Sequence, residues 1–331
     1  MKAPYFWSAG LDPKSREAAP LTRALLSPLA ALYTWGIRRK LAKATPARTS
    51  IPVICVGNLT TGGVGKTPIV QAIRHHIELK GIHASSLSRG YGGSEISPQK
   101  IYPTWHTADM CGDEPLLLSQ TGESWIGKDR FAGVQLMAFY GTKVAIMDDG
   151  HQNPGIVKDL SFVVIDAAAP FGNGYVLPKG PLREPVEDGL ARADAVILMG
   201  DGDVPQHVQQ SGLPVLRARI VPSGPAPSGP LVAFAGIGRP QKFFESLKDH
   251  GGDISEAVGY PDHHDYSPKE LGFLHKLAKS RGARLITTSK DYVRIHPDDR
   301  GGILQFPVTA EFDDIRQLDA LLNPLLYPDN S

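Results

Sequence analysis

Residues 51–80 restrict this chain more tightly than any other stretch. IPVICVGN is a short apolar run, TTGGVGKT follows at once, and PIVQAIRHHIELK sets Ile69, Val70, Ile73 and Ile77 on one helical stripe before Gly81. The pattern predicts strand, glycine-rich loop and helix. Such a unit cradles phosphate, because glycines let backbone N–H groups turn inward and the helix N-terminus adds partial positive charge. Lys66 can then reach β- and γ-phosphates, and Thr67 can offer its hydroxyl to Mg2+.

The loop departs from the G-x-x-x-x-G-K-[ST] pattern of a P-loop, since Thr60 stands where the first glycine belongs. Gly62 and Gly63 supply the freedom instead, and the GGVGKT form resembles the variant P-loops of dimerising ATPases. Those carry a lysine where this chain has Thr61. The plain alternative is a glycine-rich turn with a lysine at a helix start, which the strand before and the helix after disfavour. The residues expected around a nucleotide are Thr60, Thr61, Gly62, Gly63, Val64, Gly65, Lys66 and Thr67.

At 331 residues the chain is long for one core and suggests two domains. Strand and helix candidates alternate to about residue 200, which predicts an α/β, P-loop NTPase-type domain over 51–220 with a mainly parallel sheet and helices on both faces. VPSGPAPSGP, 221–230, has the composition of a linker, and a smaller α/β domain is expected over 231–331. A net charge of +1 gives no reason to expect nucleic acid. Cys55 and Cys111 are the only cysteines, which fits free thiols in a reducing, cytoplasmic-side location. Residues 1–50 read as an N-terminal arm and an amphipathic helix. LTRALLSPLAALYTWGIRRKLAK, 21–43, mixes leucine and aromatic residues with Arg and Lys, as an interfacial membrane helix does; a helix packed on the protein's own core is the other reading. Asp12, Glu17 and Pro28 disfavour a signal peptide.

Chemistry-bearing residues fall at the ends of the predicted strands, where open parallel sheets bind ligands. Arg89 and Tyr91 follow a strand ending at Ser88; they can hold a phosphate and a sugar or acyl surface, or be solvated turn residues. Asp113 in GDEP either caps a helix or orients and deprotonates a hydroxyl. Asp129 and Arg130 open a further helix. KVAIMDDGHQNP delivers Asp148 and Asp149 from a buried strand, hard oxygen ligands beside the P-loop, with Asp149 read as nearer the metal and Asp166 as the rival acid. Arg183 and Glu184 in GPLREP suit an active-site clamp or a surface pair. Adjacent histidines on a loop make DHHD, 262–265, a poor zinc site; a histidine facing the interdomain cleft is the better reading, with Asp capping the loop and both histidines exposed as the alternative.

GNLTTGGVGKTP, SRGYGG, GDEP, DDGHQ, LPKGPLREP and DHHDY, in this order along nearly the whole chain, resemble the tetraacyldisaccharide 4'-kinases of the lipid A pathway. PYFW and the leucine-rich basic segment match as well. The resemblance implies ATP and Mg2+ as cofactors and transfer of the γ-phosphate to the 4'-hydroxyl of tetraacyldisaccharide 1-phosphate. By it, Lys66 holds ATP phosphates, and Thr67, Asp149 and Glu184 arrange Mg2+. Asp113, helped by His263, is the base. Arg89, Tyr91, Arg130, Gln152 and Arg183 contact substrate or transition state, with Asp148 supporting the acidic site. It also implies two domains closing on the ligands and an N-terminal helix dipping into the cytoplasmic face of the bacterial inner membrane, to which the protein binds peripherally; a monomer is expected separately. Two other readings stand beside it: a nucleotide-dependent switch or partitioning ATPase, disfavoured by Thr61, and a soluble small-molecule kinase with a merely structural N-terminal helix.

Overall fold

A computed structural model describes residues 4–328 apart from 9, 13 and 96; residues 1–3, 9 and 13 of the expected arm and 329–331 of the expected last domain lie outside the described residues. In chain order the first elements are α1 (Pro20–Lys43), β1 (Val53–Gly57), α2 (Lys66–Leu79), β2 (Ala84–Ser88), β3 (Gln99–Lys100), α3 (Ala108–Cys111), α4 (Asp113–Ser119), β4 (Ser124–Ile126) and α5 (Arg130–Phe139). Then come β5 (Val144–Asp148), β6 (Leu160–Asp166), α6 (Val186–Leu190), β7 (Ala195–Met199), α7 (Gln206–Ser211) and β8 (Val215–Pro222). The chain continues through β9 (Pro230–Ala235), α8 (Pro240–Asp249), β10 (Asp253–Gly259), α9 (Pro268–Ser280), β11 (Arg284–Thr288) and α10 (Ser289–Arg294). It ends with β12 (Ile303–Phe306), β13 (Val308–Phe312) and α11 (Ile315–Leu326).

The larger sheet has nine strands in the order β13-β8-β7-β6-β1-β5-β2-β4-β3, antiparallel only at its two edge pairs. Its central strands are apolar throughout because both faces are covered, as in doubly wound sheets. Ile146, Phe162, Val164 and Ile197 meet the Ile69, Val70, Ile73 and Ile77 stripe of α2, all buried. On the opposite face Ala145 and Met147 pack with Val134 and Met137 of α5, while Val163, Ile165, Val196 and Leu198 pack with Val186 and Leu190 of α6. The mainly parallel sheet with helices on both faces is therefore present. The smaller sheet is parallel throughout, in the order β10-β9-β11-β12, with α8 on one face and α9 on the other.

The structure differs from the sequence reading after residue 307. β13 pairs antiparallel with β8, from Val308↔Pro222 to Phe312↔Ala218, and Ala310, Leu318 and Leu322 are buried in the core beneath α2. The chain thus crosses to the smaller sheet between 223 and 229 and then returns. The reason is hydrophobic: an edge strand and the apolar face of α11 complete the larger core rather than the smaller one. The stretch 221–230 is correspondingly shorter as a connection, since β8 runs through Pro222 and β9 begins at Pro230.

α1 buries only Ala30 along its 24 residues, while Leu21, Leu25, Leu32 and Trp35 are exposed on it. It is tied down by Arg38, whose Nε donates to Asp188 Oδ2 at 2.5 Å. Among the described residues no helix is long and apolar enough to cross a membrane.

Because Leu318 closes the core of the larger sheet, Leu318→Ala should lower unfolding free energy by about 2–5 kcal/mol in chemical denaturation. A loss below about 1 kcal/mol would show that α11 is a peripheral appendage.

Candidate active site

The carboxyl ends of β1, β5, β2 and β6 open on one cleft of 3100 Å³ between the two sheets, lined by the glycine loop, both strand-end acids, Asp113 and His263. β1 feeds the loop through Asn58, whose amide donates to Thr60 O at 2.8 Å and whose Oδ1 accepts from Lys66 Nζ at 3.2 Å. Gly62 and Gly65 have φ of 128° and 90°, which side chains rarely adopt, so these glycines are required for the turn. Thr67 lines the cleft from the first turn of α2. Thr60 and Thr61 face elsewhere. Thr61 N donates to Pro181 O at 2.8 Å and Thr60 bridges Leu182, so the GPLREP segment braces the flank of the loop.

A continuous hydrogen-bonded chain follows. Asp149 sits just past β5 in left-handed backbone (φ 55°); its Oδ1 accepts from Arg183 Nη1 at 2.7 Å and lies 3.7 Å from Lys66 Nζ. Burial would raise its carboxyl, but Lys66 and Arg183 outweigh that and hold it below the usual range. Gln152 donates to Asn58 O at 2.9 Å and to Glu184 Oε1 at 3.0 Å, and Arg192 holds Glu184 Oε2 at 2.5 Å. Glu184 is thus fully buried with both oxygens engaged, an anchor for Gln152 and Arg192.

Asp148 is the opposite case. It is buried, and neither carboxylate oxygen has a hydrogen-bond partner. Burial, then the negative charge of Glu114, push its carboxyl up to about 8. An unpartnered buried carboxyl beside a phosphate loop and a threonine hydroxyl fits a hard divalent cation. Nearby, burial and then Arg89 push the guanidinium of Arg130 down to about 10. Arg130 donates to Gly127 O, while Arg89 and Tyr91 are exposed on the cleft wall. Arg89 and Arg130 both line the cleft, where guanidinium groups suit a phosphate anion.

Across the cleft stands a second cluster. Asp113 is the first residue of α4 rather than its cap. Its Oδ1 accepts from Glu114 N at 2.9 Å, and its Oδ2 accepts from Arg294 Nη2 at 2.7 Å and Nε at 3.0 Å. His263 Nδ1 lies 3.3 Å from Oδ2. Burial would raise this carboxyl, but His263, Lys290 and Arg294 hold it well below the usual range. His264 turns away, stacking on Tyr260 and meeting Glu270 Oε1 at 3.0 Å. His263 has a left-handed φ of 57°. Asp166, the rival acid, is paired with Arg239 at 2.6 Å.

The Arg89–Tyr91 turn and the Asp113 turn touch backbone to backbone, since a Cβ on Gly112 would stand 2.5 Å from Tyr91 O. Sequence reasoning missed Asn58, Arg192, Arg239, Lys290 and Arg294. Asn58 had a signal, a polar residue ending a buried strand before the loop. Lys290 and Arg294 had only the i, i+4 spacing of two cations after a strand.

The fold and this site define a P-loop phosphotransferase, in which a phosphate loop faces an oriented acid across a cleft. The sequence model of the family described as tetraacyldisaccharide-1-P 4'-kinase matches residues 22–327. The tetraacyldisaccharide 4'-kinase of Hyphomonas neptunium is 61% identical over 325 residues, covering 98% of this chain and 98% of its own length. That of Maricaulis maris is 46% identical over 337 residues, covering 99% and 98%. A crystal structure of the "apo" form of LpxK from Aquifex aeolicus in complex with ATP matches with a TM-score of 0.73 at 26% identity, covering 92% of this chain and 100% of that one. The chain belongs to the tetraacyldisaccharide-1-P 4'-kinase family.

Gly112→Ala forces both a side chain into positive φ (89°) and a clash with Tyr91 O. We expect it to cost about 1–3 kcal/mol of stability, read by thermal unfolding. A neutral effect would mean that the two turns are not packed as described.

Proposed function

We propose that this protein transfers the γ-phosphate of ATP to the 4'-hydroxyl of a tetraacyldisaccharide 1-phosphate. One observation carries this reading: Lys66 on the phosphate loop and Asp113, its Oδ1 with room for one more donor, line the same cleft. Lys66 and the loop amides hold the β- and γ-phosphates, and α2 adds the partial charge of its N-terminus. Arg130, with Arg89, neutralises charge on the transferring phosphoryl group. Asp113 Oδ1 takes the proton of the 4'-hydroxyl. The freed sugar oxygen bonds to the γ-phosphorus as the bond to the β-phosphate oxygen breaks and ADP leaves. His263 stands beside the protonated Asp113 to pass that proton on.

Thr67 and Asp148, with Asp149 adjacent, are the residues that would hold Mg2+; Glu184 acts by keeping Gln152 in place. When bound, the cation neutralises charge on the nucleotide phosphates. Tyr91 and Arg183 border the space left for the substrate and the phosphates. The two sheet-bearing units close on the ligands and exclude water. The exposed Leu21, Leu25, Leu32 and Trp35 of α1, followed by Arg38, Arg39, Lys40 and Lys43, support peripheral attachment to the cytoplasmic face of the inner membrane, where an acylated substrate resides.

Wild-type protein given γ-labelled Mg-ATP and acylated disaccharide 1-phosphate in detergent micelles should yield labelled lipid, and Lys66→Ala none. ATP hydrolysis without labelled lipid would overturn the reading. Asp113→Asn should slow transfer by about a hundredfold or more while sparing ATP binding, and His263→Ala should cost more turnover than His264→Ala. Equal, near-normal rates for both histidine variants would remove the ring from the mechanism. Leu25→Asp should weaken sedimentation with anionic vesicles without changing Tm by more than a few degrees; unchanged vesicle binding would count against the role of α1.

A further inference from the structure

Helix α10 lies outside the phosphate loop and the strand-end acids, yet it sets two cations against Asp113. Arg294 is 5% exposed, and its Nη1 donates to Gly236 O at 2.8 Å and to Asp291 Oδ1 at 3.1 Å. Asp291 is itself fully buried and locked, its Oδ2 accepting from Thr288 Oγ1 at 2.7 Å. The guanidinium is therefore fixed within the smaller unit before it meets Asp113 of the larger one. Its remaining donors, Nε and Nη2, both go to Asp113 Oδ2.

We propose that Arg294 is a positioning residue for phosphoryl transfer: docked from the smaller unit, it saturates Oδ2 of Asp113 and leaves Oδ1 as the acceptor for the sugar hydroxyl. The inference rests on the reading of Asp113 as proton acceptor. The groups facing Asp113 are His263 (Nδ1 at 3.3 Å), Lys290 (Nζ at 4.0 Å) and Arg294; Glu114 supplies a backbone N–H, and its carboxylate lies 3.8 Å from Lys290. Three cation-capable side chains around one carboxylate keep it ionised, and all three come from the smaller unit. Proton acceptance is thereby tied to the docked arrangement: with the units apart, Asp113 loses both its orientation and its counter-charges. His263 Nδ1 also lies 3.1 Å from Arg294 Nη2, so the guanidinium helps decide whether that nitrogen accepts or donates.

The test compares full-length wild type, Arg294→Gln and Arg294→Lys by kcat, KM for ATP, the pH profile of kcat, and NMR titration of the Asp113 carboxyl. Arg294→Gln should lower kcat about tenfold to a hundredfold with KM for ATP within about twofold. Removing a neighbouring cation raises a carboxyl pKa, and the group must be ionised to accept a proton. The acid limb of kcat and the Asp113 titration should therefore both move to higher pH. Arg294→Lys should recover part of kcat, because lysine restores charge without the paired donors. Wild-type kcat and an unmoved acid limb in Arg294→Gln would overturn the proposal, as would equal loss of ATP binding and turnover, the mark of a purely structural role. Should Arg294→Gln fail to fold, Arg294→Lys decides by the same readouts. If wild type itself transfers no phosphate, the proposed function falls, while the carboxyl titration still decides whether Arg294 governs the ionisation of Asp113.

Discussion

The ion pair of Lys66 with Asp149, relayed to Arg183, is what the rest of the site depends on. A lysine at the start of a buried helix, next to a loop made of glycines, needs partners that keep it extended without closing the space for phosphate. Asn58 and Asp149 supply them at 3.2 and 3.7 Å. Arg183 holds the same Asp149 oxygen and belongs to the segment that braces Thr60 and Thr61. One parallel sheet thus brings three loops to one end, and charges of both signs stabilise one another there in place of solvent. Asp148 is excluded from this pairing, so the site retains one unpartnered buried carboxyl.

The second dependence is between the two units. The larger sheet supplies the phosphate loop, the strand-end acids and Asp113; the smaller supplies His263, Lys290 and Arg294. Neither half is chemically complete. The return of β13 and α11 to the larger core anchors both ends of the smaller unit to the larger sheet, since the chain leaves from β8 and comes back to pair with it. Both connections to the smaller unit therefore lie on neighbouring strands at one side of the larger sheet.

Much of this was legible in the sequence because it is local. The helical isoleucines of α2, the glycines at positive φ and the buried strand ending in Asp148 and Asp149 are fixed by neighbours a few residues away. β4 was missed because three residues give no period, β8 because its two arginines and half-buried side chains interrupt the apolar run of a central strand, and β13 because an edge strand carries polar residues. Arg294 could not be read, since its partner Asp113 lies 181 positions away and only the tertiary fold joins them. The choice between His263 and His264 rests on tertiary partners, Asp113 for the first and Tyr260 and Glu270 for the second. Asp113, legible as either a cap or a base, opens its helix with its carboxylate held by an arginine from the smaller unit.

The most direct measurement is a crystal structure of the full chain with a non-hydrolysable ATP analogue, Mg2+ and acylated disaccharide 1-phosphate. The expected result has Lys66 on the β- and γ-phosphates and the 4'-oxygen about 3 Å from Asp113 Oδ1, in line with the γ-phosphorus, while Arg294 keeps Oδ2. A 4'-hydroxyl seated against Asp166, or held away from Asp113 with the phosphates bound as described, would contradict it.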